Sequence, residues 1–427
     1  MKKIFIIAGE ASGDYLGGRL MEDLRKICDR CDIGSDTDKT HALQARCDDS
    51  VEFFGIGGPC MEKAGLRKLF SINELSIMGI VEVIGKIFRI KRLINKTVDA
   101  VFIYDPDVII TIDSSGFTHR VNRKIKKQRD VGSNNDKTHV PQTLRVLQAP
   151  IIHYVAPPVW AWRAWRAKSM HEFIDKLLVL LPFEPELFVK HGLETVFVGH
   201  PIALDSDFEK PDDFFIEDFR DALGLSDDTK LIVLLPGSRM AEISKHLPIL
   251  EEFANLMVAR YRRVKFIIPT TESLKETVES ITVNWQQRPI VIKEKSLKVL
   301  AYYASDLAVA ASGTVTLELA RTGLPAVIIY KTSFVTYLIV KFLLKIENVC
   351  LINIIAKQNV VPELLQNDCT AQNVFHHAVS ILEDPKKTNE QKQMFAKVMN
   401  QLSVEDRYTA AMEVIKTKLK QEKMMRF

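Results

Sequence analysis

The sequence predicts an α/β protein built from two consecutive Rossmann-like, doubly wound parallel-sheet domains, and three observations carry that reading. Short, almost wholly apolar runs recur along the chain, each bounded by Gly, Pro or charged residues. Amphipathic segments lie between several of them, and continuous apolar strands alternating with helices belong to parallel sheets covered on both faces. The pattern lapses once, around Gly199-His200-Pro201 and the acidic stretch that runs to Phe219, and then begins again.

In the first half the strand candidates are IFIIA, FFGIG, VIITI, IIHYVA, LLVLL and VFVG, with helices expected over 17–26, 81–104 and 119–129. The second series reads LIVLLPG, VKFIIPT, IVIK, LAVAAS and AVIIY. The economical division is 1–203 and 204–388, followed by a highly charged helical segment, 389–427, that packs back on a domain. Two polar segments, GSDTDKTHALQ (34–44) and GSNNDKTHVPQ (132–142), share Gly, Ser, Asp-Lys-Thr-His and Gln in register. Both fall between a helix and a strand, where loops tolerate insertion. We read them as insertions near 33–49 and 131–143, and discount His41 and His139 as site residues.

Composition narrows the class. At 427 residues the chain exceeds what one core usually organises. Its 47% apolar and 26% charged residues are ordinary for a soluble enzyme. A net charge of +4 is too small for this length to argue for a nucleic-acid partner. The start, MKKIFIIAGEASGD, has the basic tip of an export signal, but its apolar run is short and Glu10 and Asp14 follow at once, so it reads as a first strand. No stretch approaches the roughly 20 apolar residues a spanning helix needs; the most apolar segment, 334–344, carries Lys341. Six cysteines fit a reducing compartment without a disulfide framework. Cys28-x-x-Cys31 with His41 and Cys47 is too irregular for a zinc site, so no metal or other cofactor is expected.

Candidate site residues cluster where strands end, because ligands of open α/β sheets bind outside the carboxyl ends of the strands. Gly9-Glu10-Ala11-Ser12-Gly13-Asp14 follows the first strand and opens the first helix. It is not G-x-G-x-x-G, and its two acids suit a hydroxyl-rich sugar better than a bare phosphate; the plainer alternative is helix capping by Ser12 or Asp14. Leu235-Pro236-Gly237-Ser238-Arg239 with Glu242 follows the first strand of the second half, where Arg239 can hold phosphate oxygens in a bidentate fork. Ser312, Gly313 and Thr314 of the ASGT turn can offer N–H and hydroxyl donors to a pyrophosphate at a helix start, with Glu318 one turn further in to accept from ribose hydroxyls. Asp113 ends VIITI and is a candidate general base or an N-cap; His200 is a weaker candidate for the same base. The segment from Leu75 to Leu93, LSIMGIVEVIGKIFRIKRL, suits an anionic membrane surface or a packed core helix. Trp160, Trp162 and Trp165 lack the basic surroundings of nucleic-acid stacking platforms and read as packing residues at a cleft wall.

Together these strings resemble the lipid-A-disaccharide synthases, glycosyltransferases of Gram-negative lipid A assembly. The resemblance rests on AGEASGD, FFGIGG, ELSIMGIVEV, HYVAPPVWAWR, LPFE, VGHP, LPGSRMAEI, ASGTVTLE and the region from Tyr330-Lys331 to Asn353. These span most of the chain outside the two insertions, and WAWR, GSRxxEI and MGxxEV in this order are specific.

The resemblance implies a GT-B architecture, two Rossmann-like domains facing a cleft. It implies inverting transfer of 2,3-diacylglucosamine from its UDP derivative to 2,3-diacylglucosamine 1-phosphate, without metal, at the inner leaflet of the inner membrane from the cytoplasmic side. A homodimer is compatible with it. Carried over by position, Asp113 matches the family's strand-end acid, Arg239 its nucleotide-binding Arg and Asn353 a functional Asn, the three residues expected to be catalytic. Two positions depart from the family pattern. Ser114-Ser115-Gly116-Phe117 lacks the usual Pro and second acid, leaving Asp113 without a partner carboxylate, and Ile352 stands where Pro commonly precedes the Asn. The competing readings are a UDP-aminosugar epimerase of the same shape, which would not need the Leu75–Leu93 surface, and a non-catalytic lipid- or nucleotide-binding protein.

Overall fold

A computed structural model describes residues 3–30, 51–75, 83–134, 147–160, 165–332, 348–406 and 408–424. Most of both polar insertions, residues 76–82 of the basic amphipathic segment, 161–164 of the Trp-rich string, the 334–344 segment, and Cys31, His41, Cys47 and His139 lie outside the described residues. The chain forms two compact units, Met1–Gly199 with Val404–Phe427, and His200–Ser403.

The first unit runs β1 (Lys3–Ala8), α1 (Ala11–Arg30), β2 (Glu52–Gly57), α2 (Pro59–Lys63), β3 (Leu66–Ser71), α3 (Val83–Tyr104), β4 (Val108–Ile112), α4 (Ser115–Asn134), β5 (Ile151–Tyr154), α5 (Trp165–Lys168), β6 (Lys176–Val179), α6 (Pro185–Val189) and β7 (Thr195–Phe197). Its seven strands pair in the order β3-β2-β1-β4-β5-β6-β7, all parallel. The central strands are buried end to end because helices cover both faces: Ile4 and Ile6 of β1 pack toward α1, Phe5 and Ile7 toward α3 and α4. The order reverses between β1 and β4, whose ends lie level through the pair Ala8↔Ile112. The Gly9–Asp14 turn and Asp113 therefore emerge side by side at the switch point.

The second unit runs α7 (Asp213–Ala222), β8 (Lys230–Leu235), α8 (Met240–Arg260), β9 (Val264–Pro269), α9 (Lys275–Thr282), β10 (Ile290–Ile292), α10 (Lys295–Ala304), β11 (Leu307–Ala311), α11 (Val315–Thr322), β12 (Ala326–Tyr330), α12 (Leu351–Ala356), β13 (Glu363–Leu365), α13 (Ala371–Leu382) and α14 (Pro385–Leu402). Six parallel strands pair in the order β10-β9-β8-β11-β12-β13. Here the reversal falls between β8 and β11, so the LPGSR and ASGT turns leave neighbouring strands.

The carboxy-terminal helices divide between the units. α14 stays in the second, where Leu402 accepts the His200 N–H at 2.8 Å. α15 (Thr409–Met424) belongs to the first: Ala411, Val414 and Ile415 enter its core, and Glu413 meets the buried Lys176 ammonium at 2.5 Å.

β3 and β13, unlike the edge strands β7 and β10, escape the pattern of apolar runs. Both are edge strands, short or alternating (LRKLFS and ELL), and an edge strand is not buried continuously on two faces. The first helix begins at Ala11, not near Gly17, because Ser12, Gly13 and Asp14 form its first turn. No helix among the described residues is long and apolar enough to cross a membrane.

Candidate functional site

In the first unit the two switch-point turns interlock. A side chain on Gly9 would place its Cβ 2.3 Å from Ser114 Oγ, so only glycine lets the β1 turn lie against the β4 turn. The Ser12 hydroxyl donates to Asp113 Oδ2 at 3.1 Å, and the Ser114 N–H to Asp113 Oδ1 at 2.7 Å. Asp113 and Ser114 both adopt left-handed conformations (φ 50° and 46°), a strain that surrounding bonds must maintain. The Asp113 N–H donates to Tyr154 O at 2.9 Å, and the Thr118 hydroxyl to Asp113 O at 2.8 Å. The Asp113 side chain does not cap α4, whose first-turn N–H groups of Phe117 and Thr118 go to Ser114 O. Each carboxylate oxygen keeps acceptor capacity beyond its one bond. Two residues earlier on β4, the buried Thr111 hydroxyl joins His153 Nδ1 at 2.8 Å and accepts from Asn122 Nδ2 at 3.0 Å. Desolvation lowers His153 to about 4, so its imidazole is neutral.

A Cβ on Gly13 would find Ala8 and Ile112 at ordinary contact distance, and Glu10 sits exposed at the rim, its carbonyl accepting the Asp14 N–H at 2.9 Å. Asp14 itself does not reach solvent. Only 3% exposed, it accepts the N–H groups of Gly58 (2.7 Å), Cys60 (2.9 Å) and Met61 (3.0 Å). Its carboxylate therefore caps α2 from the neighbouring helix α1 on the same face of the sheet. This corrects the expectation that Asp14 binds substrate, and favours the capping alternative for this residue.

In the second unit the candidates converge. A cavity of about 460 Å³ is lined by Ser238, Arg239, Glu242, Ser312, Gly313, Thr314 and Glu318, together with Gly237, Pro269, Thr270, Thr271 and Lys298. Its size suits a nucleotide-sized ligand. Gly237 takes φ 116°, and a Cβ there would meet Glu242 Oε2 at 2.4 Å. Glu242 uses that oxygen to accept from Ser238 N (3.0 Å) and Arg239 N (3.3 Å), and Arg239 Nη1 meets its other oxygen at 3.3 Å. The N-terminus of α8 thus already holds an internal carboxylate. An incoming phosphate finds its donors elsewhere, on the 78% exposed Arg239 side chain and at the ASGT turn. There the Ser312 N–H donates to Ile329 O at 3.1 Å, while the N–H groups of Gly313 and Thr314 have no acceptor among the described residues. A Cβ on Gly313 would meet nothing within 4 Å: the turn opens on free space.

His246 braces this cavity from behind. Its Nε2 accepts the Lys331 N–H at 3.0 Å, so Nδ1 carries the proton and donates to Pro236 O at 2.7 Å. Fully buried and shifted down chiefly by desolvation, the neutral ring ties the end of β8 to the end of β12.

Asn353, expected to be catalytic, is 1% exposed and its amide is saturated. Oδ1 accepts from Val360 N (2.8 Å) and Val361 N (3.0 Å); Nδ2 donates to Val361 O (2.9 Å) and Glu363 Oε1 (2.6 Å). The correction is one of reach. Glu363 Oε2 in turn accepts from Val349 N, and Val349 O accepts the Ser312 hydroxyl at 3.2 Å. Asn353 is linked to the ASGT turn through Glu363 and Val349 and does not line the cavity.

His200 accepts the Ile202 N–H on Nδ1 at 3.3 Å, and desolvation lowers its imidazole to about 4. Trp160 packs edge-on against Phe183 at 5.8 Å, while Trp165 is 63% exposed; Trp162 lies outside the described residues. Glu184 of the LPFE string is buried, and burial pushes its carboxyl up to about 7 against the opposing bond from Leu181 N. Among the described residues, Cys28, Cys60, Cys350 and Cys369 form no disulfide. Among the described residues no group of three or more His, Cys, Asp or Glu could hold a metal ion. Thr270, Thr271 and Lys298 are cavity residues that the motifs do not mark.

Two parallel α/β units, each with its turns at a switch point and one with a nucleotide-sized cavity there, define a GT-B protein. Solved structures agree on the fold. The UDP-GlcNAc 2-epimerase of Neisseria meningitidis bound to UDP-GlcNAc superimposes with a TM-score of 0.58 at 10% identity, over 98% of this chain and 100% of that one. MurG of Acinetobacter baumannii gives 0.52 at 12%, over 98% and 100%. Sequence decides within the class. The profile of the family described as Lipid-A-disaccharide synthetase matches residues 4–416. The lipid-A-disaccharide synthase of Ruegeria pomeroyi is 36% identical over 393 residues, 90% of this chain and 88% of that protein. That of Rickettsia bellii is 35% identical over 411 residues, 94% of each. The chain belongs to the lipid-A-disaccharide synthase family, glycosyltransferases of lipid A biosynthesis.

Proposed function

We propose that this enzyme joins UDP-2,3-diacylglucosamine to 2,3-diacylglucosamine 1-phosphate, giving the β-1,6-linked disaccharide 1-phosphate and UDP with inversion at the donor C1. The observation that carries the donor half is the convergence of Ser238, Arg239, Glu242, the ASGT turn and Glu318 on one cavity. Asp113 acts as the base. It takes the proton of the acceptor 6-hydroxyl as that oxygen bonds to C1 and the C1–phosphate oxygen bond breaks, the electron pair leaving with UDP. Arg239 and the Gly313 and Thr314 N–H groups stabilise the charge growing on the diphosphate. Glu318 accepts from the ribose, and Glu10 and Ser12 stand beside Asp113 for the acceptor sugar. No cofactor is invoked.

The acylated substrates call for a membrane-facing surface. On α3, Phe88 is 68% exposed beside the exposed Arg89, Lys91 and Arg92. An apolar ring among cations suits an anionic leaflet, which supports a peripheral location on the inner face of the inner membrane.

The test is the purified full-length protein with both substrates in mixed micelles. UDP release that requires the acylated acceptor supports the proposal. Release without acceptor, or recovery of an epimerised UDP-sugar, overturns it in favour of the epimerase reading.

A further inference from the structure

We infer that Lys298 and Tyr302, one turn apart on α10, are positioning residues of the nucleotide cavity: they grip the Glu318 carboxylate by a single oxygen, leave the other for a ligand, and so set a preference for ribose over deoxyribose nucleotides. The inference rests on the nucleotide reading above and deepens it.

The geometry is specific to one oxygen. Tyr302 OH donates to Glu318 Oε2 at 3.0 Å, and Lys298 Nζ meets the same Oε2 at 2.6 Å. Two donors fill the two lone-pair sites of that oxygen. Oε1 has no partner among the described residues, and Glu318 lines the cavity. Tyr302 is 1% exposed, and burial beside Glu318 raises its phenol well above the usual value, so it remains a donor. A carboxylate fixed at one oxygen by a buried phenol cannot swing to solvent. Its free oxygen can accept from both hydroxyls of a vicinal diol, which lie close enough to share it.

Charge gives Lys298 a second effect. Glu242 and Glu318 both line a cavity proposed to receive a diphosphate, and each unneutralised carboxylate would repel it. Arg239 pairs with Glu242 and Lys298 with Glu318, so the acids line the cavity without opposing the ligand. Neither Lys298 nor Tyr302 lies in the strings that mark the family, and α10 contributes them only through the fold.

Calorimetric titration of the full-length protein with UDP, 2′-deoxy-UDP, 3′-deoxy-UDP and uridine tests this, with Tm recorded for each variant. The wild type should bind UDP about 10- to 100-fold more tightly than either deoxy analogue, the range for losing a hydrogen bond to a charged group. Tyr302→Phe should keep a near-native Tm and cut that ratio to about 3-fold or less. Lys298→Met should weaken UDP about 10-fold while changing uridine by less than about 2-fold, because only the diphosphate feels the uncovered carboxylate. Equal binding of UDP and both deoxy analogues by the wild type overturns the inference and leaves the nucleotide reading standing. An unchanged UDP/deoxy-UDP ratio in a folded Tyr302→Phe overturns the role of Tyr302. A wild type that binds no UDP removes the nucleotide reading itself.

Discussion

Replacing Asp14 by Asn separates a structural acid from a catalytic one. The wild-type carboxylate is buried and receives three backbone N–H groups, two on Oδ1 and one on Oδ2. An amide offers one acceptor oxygen, so at least one of these N–H groups must face an NH₂. Losing one charge-assisted bond, the ionic character of the others, and water's access to a buried donor together cost about 2–4 kcal/mol. The effect should fall on the first unit, since α1, α2 and β2 lie wholly within it. With a denaturant slope near 2–3 kcal/mol per M of urea, the first-unit transition should move down by about 1 M, while UDP affinity of the second unit stays unchanged. Activity per folded molecule should stay within about threefold of wild type, well short of the loss that removing an acid–base group causes. A variant with wild-type urea stability and a large rise in acceptor KM would refute this reasoning and return Asp14 to the substrate.

Three further outcomes follow from the geometry. Gly9→Ala should force the β1 turn away from Ser114, costing about 1–3 kcal/mol of first-unit stability and a larger share of kcat, checked by urea titration and steady-state kinetics. Arg239→Ala should weaken UDP by about 10- to 100-fold with little change in Tm, since its side chain is exposed; equal affinity would move the phosphate contact elsewhere. Glu184 has its folded-state value raised to about 7, so the stability it contributes is full below its unfolded value and is lost as pH rises through 7. Glu184→Gln should therefore match wild type near pH 5 and exceed it by about 2 kcal/mol near pH 8, and a pH-independent difference would count against the burial account.

What the sequence revealed and what it hid divide along physical lines. The GEASGD, LPGSR and ASGT turns were legible because a parallel sheet delivers ligands to strand ends, and a Gly-rich turn after an apolar run marks such an end. The interior strands were legible because burial on both faces leaves continuous apolar runs. β3 and β13, at the edges, carry no such run. Asp14 was misjudged because its partners Gly58, Cys60 and Met61 lie far along the chain at the start of α2, which the turn's own sequence does not reveal. Glu242 could have been seen as a local cap, since it stands three residues past the N-cap Arg239. Thr270, Thr271 and Lys298 carry no motif and reach the cavity only because β9 and α10 flank β8 and β11. For Asn353 the sequence offers only a resemblance, and it could not show that the side chain is linked to the ASGT turn through Glu363 and Val349.

The central claim, acyl-glucosaminyl transfer with Asp113 as base, is tested most directly by acceptor-dependent UDP release from wild type and Asp113→Asn at equal folded concentration. The asparagine can keep its oxygen on the Ser114 N–H and turn its NH₂ to the Ser12 hydroxyl, which can accept, so stability should change by less than about 1 kcal/mol. Turnover should fall by about 10²- to 10⁴-fold while UDP still binds. Wild-type turnover by Asp113→Asn, or UDP release that ignores the acceptor, would contradict the account.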